Sequence, residues 1–114
     1  MTSTQNRMKH PHEEIVLKSD DLAQELYNNK LYRESIEQNN ITLGLLRFRH
    51  PIILKNISCG HFALYETEEA AKVFQEYMDI TKSDESGDIR TFAQYLTRAG
   101  RYDEAYRSEE HTSE

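Results

Sequence analysis

The chain is short of structural staples and breakers: no tryptophan, one cysteine, two prolines and four glycines in 114 residues. A lone Cys59 excludes an intramolecular disulfide and fits a reducing compartment. Few Gly and Pro, with 37% apolar and 30% charged residues, exclude a collagen-like or broadly disordered chain and suit helices. No apolar run reaches the roughly 18 residues of a spanning helix. The opening MTSTQNRMKHPHEE carries no hydrophobic stretch that would serve as a secretory signal. A cytoplasmic protein with no membrane association is therefore expected. Positive charge is scarce as well: 14 Lys and Arg stand against 20 Asp and Glu, a net charge of -6. That balance argues against binding nucleic acid through its phosphates. No Walker-type phosphate loop and no nucleophile elbow are present either. Neither catalysis nor a cofactor is expected.

What the chain does have is an echo. A small residue preceded by glutamate recurs every 35 residues, as Glu34-Ser35, Glu69-Ala70 and Glu104-Ala105. The same period aligns Leu22-Ala23, Ile57-Ser58 and Phe92-Ala93, a large apolar residue followed by a small one. Three positions further stand Leu26, His61 and Leu96, with His61 the exception. Tyr32, Thr67 and Tyr102 precede the Glu-small pair, and Ile36, Ala71 and Tyr106 follow it. Agreement across several columns marks an array of stacked supersecondary units.

Each unit reads as two helices. Leu22 and Leu26 lie four apart on one helical face, with Ala23 beside them. A turn is expected at Asn28-Asn29-Lys30, and the second helix carries Ile36, Leu43, Leu45 and Leu46. Pro51 suits the first turn of a helix. Thr67 stands where an N-cap belongs, ahead of Glu68 and Glu69. That helix is expected to run to about Thr81, followed by a loop over Lys82 to Gly87. Gly100 marks the next helix end. Small residues in two columns allow helices to cross closely, and stacking one pair on the next buries the stripe that a single pair leaves exposed. The expected class is all-α, built of antiparallel helix-pair repeats in about three units.

The segment FAQYLTRAGRYDEAYR, Phe92 to Arg107, closely resembles the tetratricopeptide repeat, whose signature runs Leu-Gly/Ala, then Tyr or Leu, then Gly-x-Tyr-x-Glu-Ala. LAQELYNNKLYRESIE, Leu22 to Glu37, looks like a second copy, with Lys30 for the turn Gly and Ser35 for Ala. The middle copy, ISCGHFALYETEEAAKVF, is weaker in its first helix and strong from Glu68 to Phe74. The resemblance implies an α-solenoid over residues 14–106, with units at about 16–50, 51–85 and 86–106. Residues 1–13 are expected to form a flexible tail, which disposes of a metal reading of His10-Pro11-His12.

The chain's last eight residues, RSEEHTSE, leave the pattern. The core position four residues after Ala105, usually aromatic, is Glu109. These residues resemble the translation of a sequencing-library adapter, so 107–114 are expected to be non-native and the third unit truncated. Apolar surface around Phe92 and Leu96 is then expected to be exposed.

In the resembled family the first helix of each pair lines a concave groove. By register this places Gln24, Tyr27 and Asn28 there from the first unit and Lys55, Cys59 and Phe62 from the second. The third unit contributes Arg90, Gln94, Thr97 and Arg98. Lys55, Arg90 and Arg98 put positive charge on this face of an acidic protein, while Tyr27 and Phe62 supply apolar contact. The implied role is a scaffold that binds a protein or peptide segment, an acidic one by charge. The alternative is a regulatory or sensor segment of a larger protein with a catalytic or DNA-binding domain. A clamp for chaperone-tail carboxylates is not expected: its positions here hold Asp20, Gln24, Asn56, Gly87 and Thr91, and only Asn56 matches. Cys59 and His61, two apart on a helix, do not face each other as a catalytic pair would. The seven tyrosines, several on repeat columns, are expected to pack rather than stack on a ligand.

Overall fold

The computed structural model describes residues 11–110, with side chains from 12 to 107. The described residues form six α-helices: α1 Pro11–Asn28, α2 Tyr32–Leu46, α3 Pro51–Ala63, α4 Thr67–Thr81, α5 Ser86–Arg98 and α6 Tyr102–Glu110. Each helix packs on its neighbours in sequence. Within the first hairpin, ring contact joins Tyr27 to Tyr32, Ser35 Oγ donates to the Ala23 carbonyl, and Ser19 meets Thr42. As one partner steps back the other steps forward, so the two helices are antiparallel.

The 35-residue period reappears in the backbone. Lys30, Tyr65 and Gly100 all take a left-handed conformation, with φ of 65°, 63° and 82°. Each closes a helix in the same way. The N–H groups of Leu31, Glu66 and Arg101 reach back to the carbonyls of Leu26, His61 and Leu96 at 2.8–2.9 Å. Those of Lys30, Tyr65 and Gly100 reach Tyr27, Phe62 and Thr97 at 2.9–3.0 Å. This crossed pair of bonds satisfies the orphan carbonyls of a helix end, and a residue at positive φ makes it possible. Between hairpins the period recurs at Arg47 and Lys82, φ 65° and 52°, each bonding four residues back.

All six small residues of the two columns are buried: Ala23, Ser58 and Ala93, and Ser35, Ala70 and Ala105. Gly60 of α3 goes further, because a Cβ there would stand 2.7 Å from Ile36 Cγ1. The core centres on Phe74, fully buried, whose ring meets those of Tyr77, Phe92 and Tyr95 at centroid distances of 5.1, 6.0 and 5.4 Å. Edge-to-face and offset arrangements of this kind add to simple burial.

Ion pairs tie successive hairpins together. Arg33 pairs with Glu66, and Glu68 with Arg101 at 3.3 Å. Adding 35 to the first pair of positions yields the second, with the charges exchanged. Both junctions use the same geometry with opposite polarity.

Several local expectations are corrected. Helix α1 begins at Pro11, so residues 11–13 are helical rather than tail, while residues 1–10 lie outside the described residues. Thr67 is the first helical residue of α4, and Glu66 occupies the cap without a side-chain capping bond. The loop is shorter than composition suggests, since α5 starts at Ser86. Tyr102 and Tyr106 are exposed despite their columns, as is Leu22, because no described helix packs over them. The last helix continues past Ala105 to Glu110, into the segment expected to break the pattern; residues 111–114 lie outside the described residues. Phe92 and Leu96 are buried, not exposed, although both line an open cavity of about 620 Å³ between α4, α5 and α6.

Two outcomes follow for stability. Tyr65→Gly, at an exposed position with positive φ, should raise stability by about 1 kcal/mol, and Gly100→Ala should lower it by a similar amount, read by urea denaturation. Gly44 lies in open helical space, so Gly44→Ala should gain about 0.5–1 kcal/mol. Gly60→Ala should fall below it by about 1–3 kcal/mol, through overpacking against Ile36.

Candidate functional site

Among the first helices of the three hairpins, α3 and α5 touch directly through side chains, and α1 shares a cavity wall with α3. Cys59 of α3 accepts from the Tyr95 hydroxyl of α5 at 3.6 Å. Phe62 of α3 stacks on the Tyr95 ring with centroids 4.4 Å apart, and the Arg98 guanidinium lies over the Phe62 ring, 5.6 Å from its centroid. Toward α1, Gln24 and Tyr27 share with Cys59 the wall of a small cavity of about 110 Å³. Gln24, Tyr27, Cys59, Phe62 and Arg98 are thereby brought into one band.

Burial raises the pKa of Tyr27, reinforced by the neighbouring Cys59 and Tyr32. Burial also pushes Tyr95 well up, with Cys59 adding to the shift. Both phenols therefore stay protonated across the neutral range, and that of Tyr95 donates to Cys59.

The remaining predicted residues have different fates. Arg90, Gln94, Thr97 and Arg98 follow a spacing of four, three and one along α5, which places them along one face, and all four are exposed. Thr97 Oγ1 donates back to the Ala93 carbonyl at 2.8 Å. Asn28 is exposed at the end of α1. Lys55 is committed elsewhere: its ammonium stands 3.0 Å from buried Asp88 and 5.2 Å from the Tyr77 ring centroid. Asp88 also accepts from the Tyr77 hydroxyl at 2.8 Å and the Ser83 hydroxyl at 2.6 Å. Burial pushes the Asp88 pKa up, but the three donors, Ser83, Tyr77 and Lys55, together hold it below its ordinary value. Lys55 thus fastens α3 to the start of α5 instead of offering a free charge.

Cys59 and His61 engage different partners, since His61 Nδ1 lies 2.7 Å from Glu66 while Cys59 meets Tyr95. Glu66 is held down to about pKa 2 by hydrogen bonds from Arg33 and then His61.

The groove residues read by register left out Tyr95 of the band and two residues of the adjoining cavity. Tyr95 was hidden because a helical column does not reveal that one ring links two neighbouring helices. Asn56 and Asn39 also line the small cavity. Asn39 carried a signal in its spacing, as it stands 35 residues before Phe74.

No protein-family model and no curated protein matches the chain. Among the described residues, no helix is long and apolar enough to cross a membrane.

Asp88→Ala should lower stability by about 2–3 kcal/mol at pH 7, since three donors lose their acceptor. Because the folded pKa of Asp88 is depressed, its contribution is present above about pH 4 and lost as pH falls through the folded value. Urea denaturation at pH 7 and pH 3 should therefore find the gap between parent and variant shrinking in acid; a gap that widens would contradict the assignment.

Proposed function

We propose that the chain is a tetratricopeptide-like array whose α1–α3–α5 face binds an extended segment of a partner protein. The observation that carries this reading is the continuous band from Gln24 and Tyr27 through Cys59 and Phe62 to Arg98, built by three helices that are distant in sequence. It combines exposed or half-buried aromatic surface with amides and a guanidinium, the mixture that peptide-binding surfaces use for apolar anchorage and backbone hydrogen bonds. The left-handed turns at Lys30, Tyr65 and Gly100, equally spaced, support the repeat architecture on which the reading depends.

The partner segment is acidic. Arg90 and Arg98 lie along the exposed side of α5, and the guanidinium of Arg98, resting on the Phe62 ring, is pre-positioned for a carboxylate. The binding site thus carries local positive charge within a protein of net charge -6. Lys55 contributes to this charge only indirectly, because Asp88 neutralises it.

Fluorescence anisotropy with a labelled acidic peptide and its Ser-substituted neutral counterpart tests this. The acidic peptide should bind more tightly, and the Arg90→Ala/Arg98→Ala variant should weaken it about three- to tenfold, an effect that shrinks with added salt. Equal binding of both peptides, or no change in the double variant, would overturn the acidic reading.

A further inference from the structure

The cavity between α1, α2 and α3 is lined by Gln24, Tyr27, Ser35, Asn39, Asn56 and Cys59. Its origin lies in one residue. Asn39 stands four positions after Ser35, and Phe74 stands four positions after Ala70. They share a repeat column, and in the second hairpin the aromatic ring at that position is fully buried. In the first hairpin the shorter asparagine leaves that space partly empty. Asn39 is 1% exposed, yet its Oδ1 is buried with no hydrogen-bond partner among the described residues. A buried amide oxygen without a donor is costly and uncommon in folded proteins. Its neighbour Ser35 offers no relief, because that hydroxyl donates to the Ala23 carbonyl at 2.8 Å.

The chemistry of the wall restricts the occupant. Three carboxamides, from Gln24, Asn39 and Asn56, face it together with a phenol and a thiol, and no charged side chain is among them. A carboxylate or ammonium entering here would lose its hydration without a counter-charge. A purely apolar group would leave the Asn39 oxygen unsatisfied. A volume of about 110 Å³ exceeds the roughly 30 Å³ of one water and falls below the 150 Å³ or so that admits benzene. The group is therefore small, neutral and able both to donate and to accept.

We propose that this pocket is a specificity site for a carboxamide side chain, an asparagine or glutamine of the partner segment. A carboxamide supplies a donor to the Asn39 oxygen and an acceptor to the neighbouring amides, and does so whichever way the Asn39 amide is turned. The substitution that vacated the aromatic column would thus exchange core packing for recognition. Gln24, Tyr27 and Cys59 belong to both the pocket and the band, so the side chain enters from a segment lying on the α1–α3–α5 face. This inference rests on the reading of that face as a binding surface and adds to it a requirement for one neutral amide among the acidic residues.

The probe is propionamide, with propionate as its charged near-isostere, titrated to about 50 mM into the whole ¹⁵N-labelled chain, a range suited to the weak affinity of so small a fragment. Propionamide should shift the side-chain amide resonances of Asn39, Asn56 and Gln24 saturably, and propionate should not. Asn39→Phe should remain folded, with a Tm equal to or above that of the parent, and should abolish the remaining shifts at Asn56 and Gln24. If Asn39→Phe fails to fold, Asn39→Leu carries the same test. Absence of saturable shifts in the parent, an equal response to propionate, or a response that survives in the folded variant would overturn the proposal. The fragment reads the pocket without any peptide, whereas the peptide titration reads Arg90 and Arg98, so failure of one leaves the other standing.

Discussion

The close approach of helix backbones is the constraint on which this structure depends. Six small residues in two columns are buried where neighbouring helices meet, and Gly60 removes even a Cβ where α3 crosses Ile36 of α2. Contact at that distance lets the larger side chains interlock around the crossing, and the interior gains dispersion and burial together. Ser35 illustrates how tight the fit is. Its hydroxyl, standing where alanine stands in the other two units, is buried and must find an acceptor, and the Ala23 carbonyl of the facing helix lies close enough to provide one. The left-handed turns then hold each pair of helices at a fixed length and angle, so that each small residue arrives opposite its partner.

Electrostatics specify the order of stacking more than they stabilise it. Arg33–Glu66 and Glu68–Arg101 occupy equivalent positions with exchanged charge, and exposed pairs of this kind contribute little individually. Their reversed polarity nevertheless disfavours a shifted pairing of hairpins, which would bring like charges together. Lys55 and Asp88 act differently. Their pair is sheltered, shared with Tyr77 and Ser83, and anchors the N-terminal turn of α5, where a carboxylate also suits the helix dipole. The cost is a cation withdrawn from the proposed binding face.

The first hairpin differs from the second in its packing, and the proposed recognition rests on that difference. Phe74 completes an aromatic cluster with Tyr77, Phe92 and Tyr95. The equivalent positions 35 residues earlier hold Asn39 and Thr42, and Thr42 is engaged in a buried hydroxyl contact with Ser19. At these two positions one unit is aromatic and the other polar, although Ile36 and Leu43 of the first hairpin also join the hydrophobic core. Of the two positions, Asn39 leaves a buried amide oxygen without a hydrogen-bond partner among the described residues. The proposed amide pocket depends on this difference, since that oxygen, Asn39 Oδ1, is the group left without a partner beside the α1–α3–α5 face.

The helical class, the 35-residue period and the two small columns were legible in the residues, because helix periodicity and repeat spacing are local properties that each segment expresses by itself. The turns at Lys30 and Gly100 were legible for the same reason. The fate of individual side chains on the face was not. Register placed Lys55 in the groove with Arg98, but only the arrival of Asp88 from α5 decided that one cation is consumed and the other remains available. Tyr95 became the link between α3 and its own helix through contacts made across 36 residues of sequence. The exposure of Leu22 and Tyr102 likewise depends on which helix lies above them, not on their column. Sequence by itself determined which elements form and how often they recur, since those follow from short-range spacing. Tertiary structure alone decided which charges are free and which polar groups lack a partner, since both depend on what neighbouring hairpins bring to the same point in space.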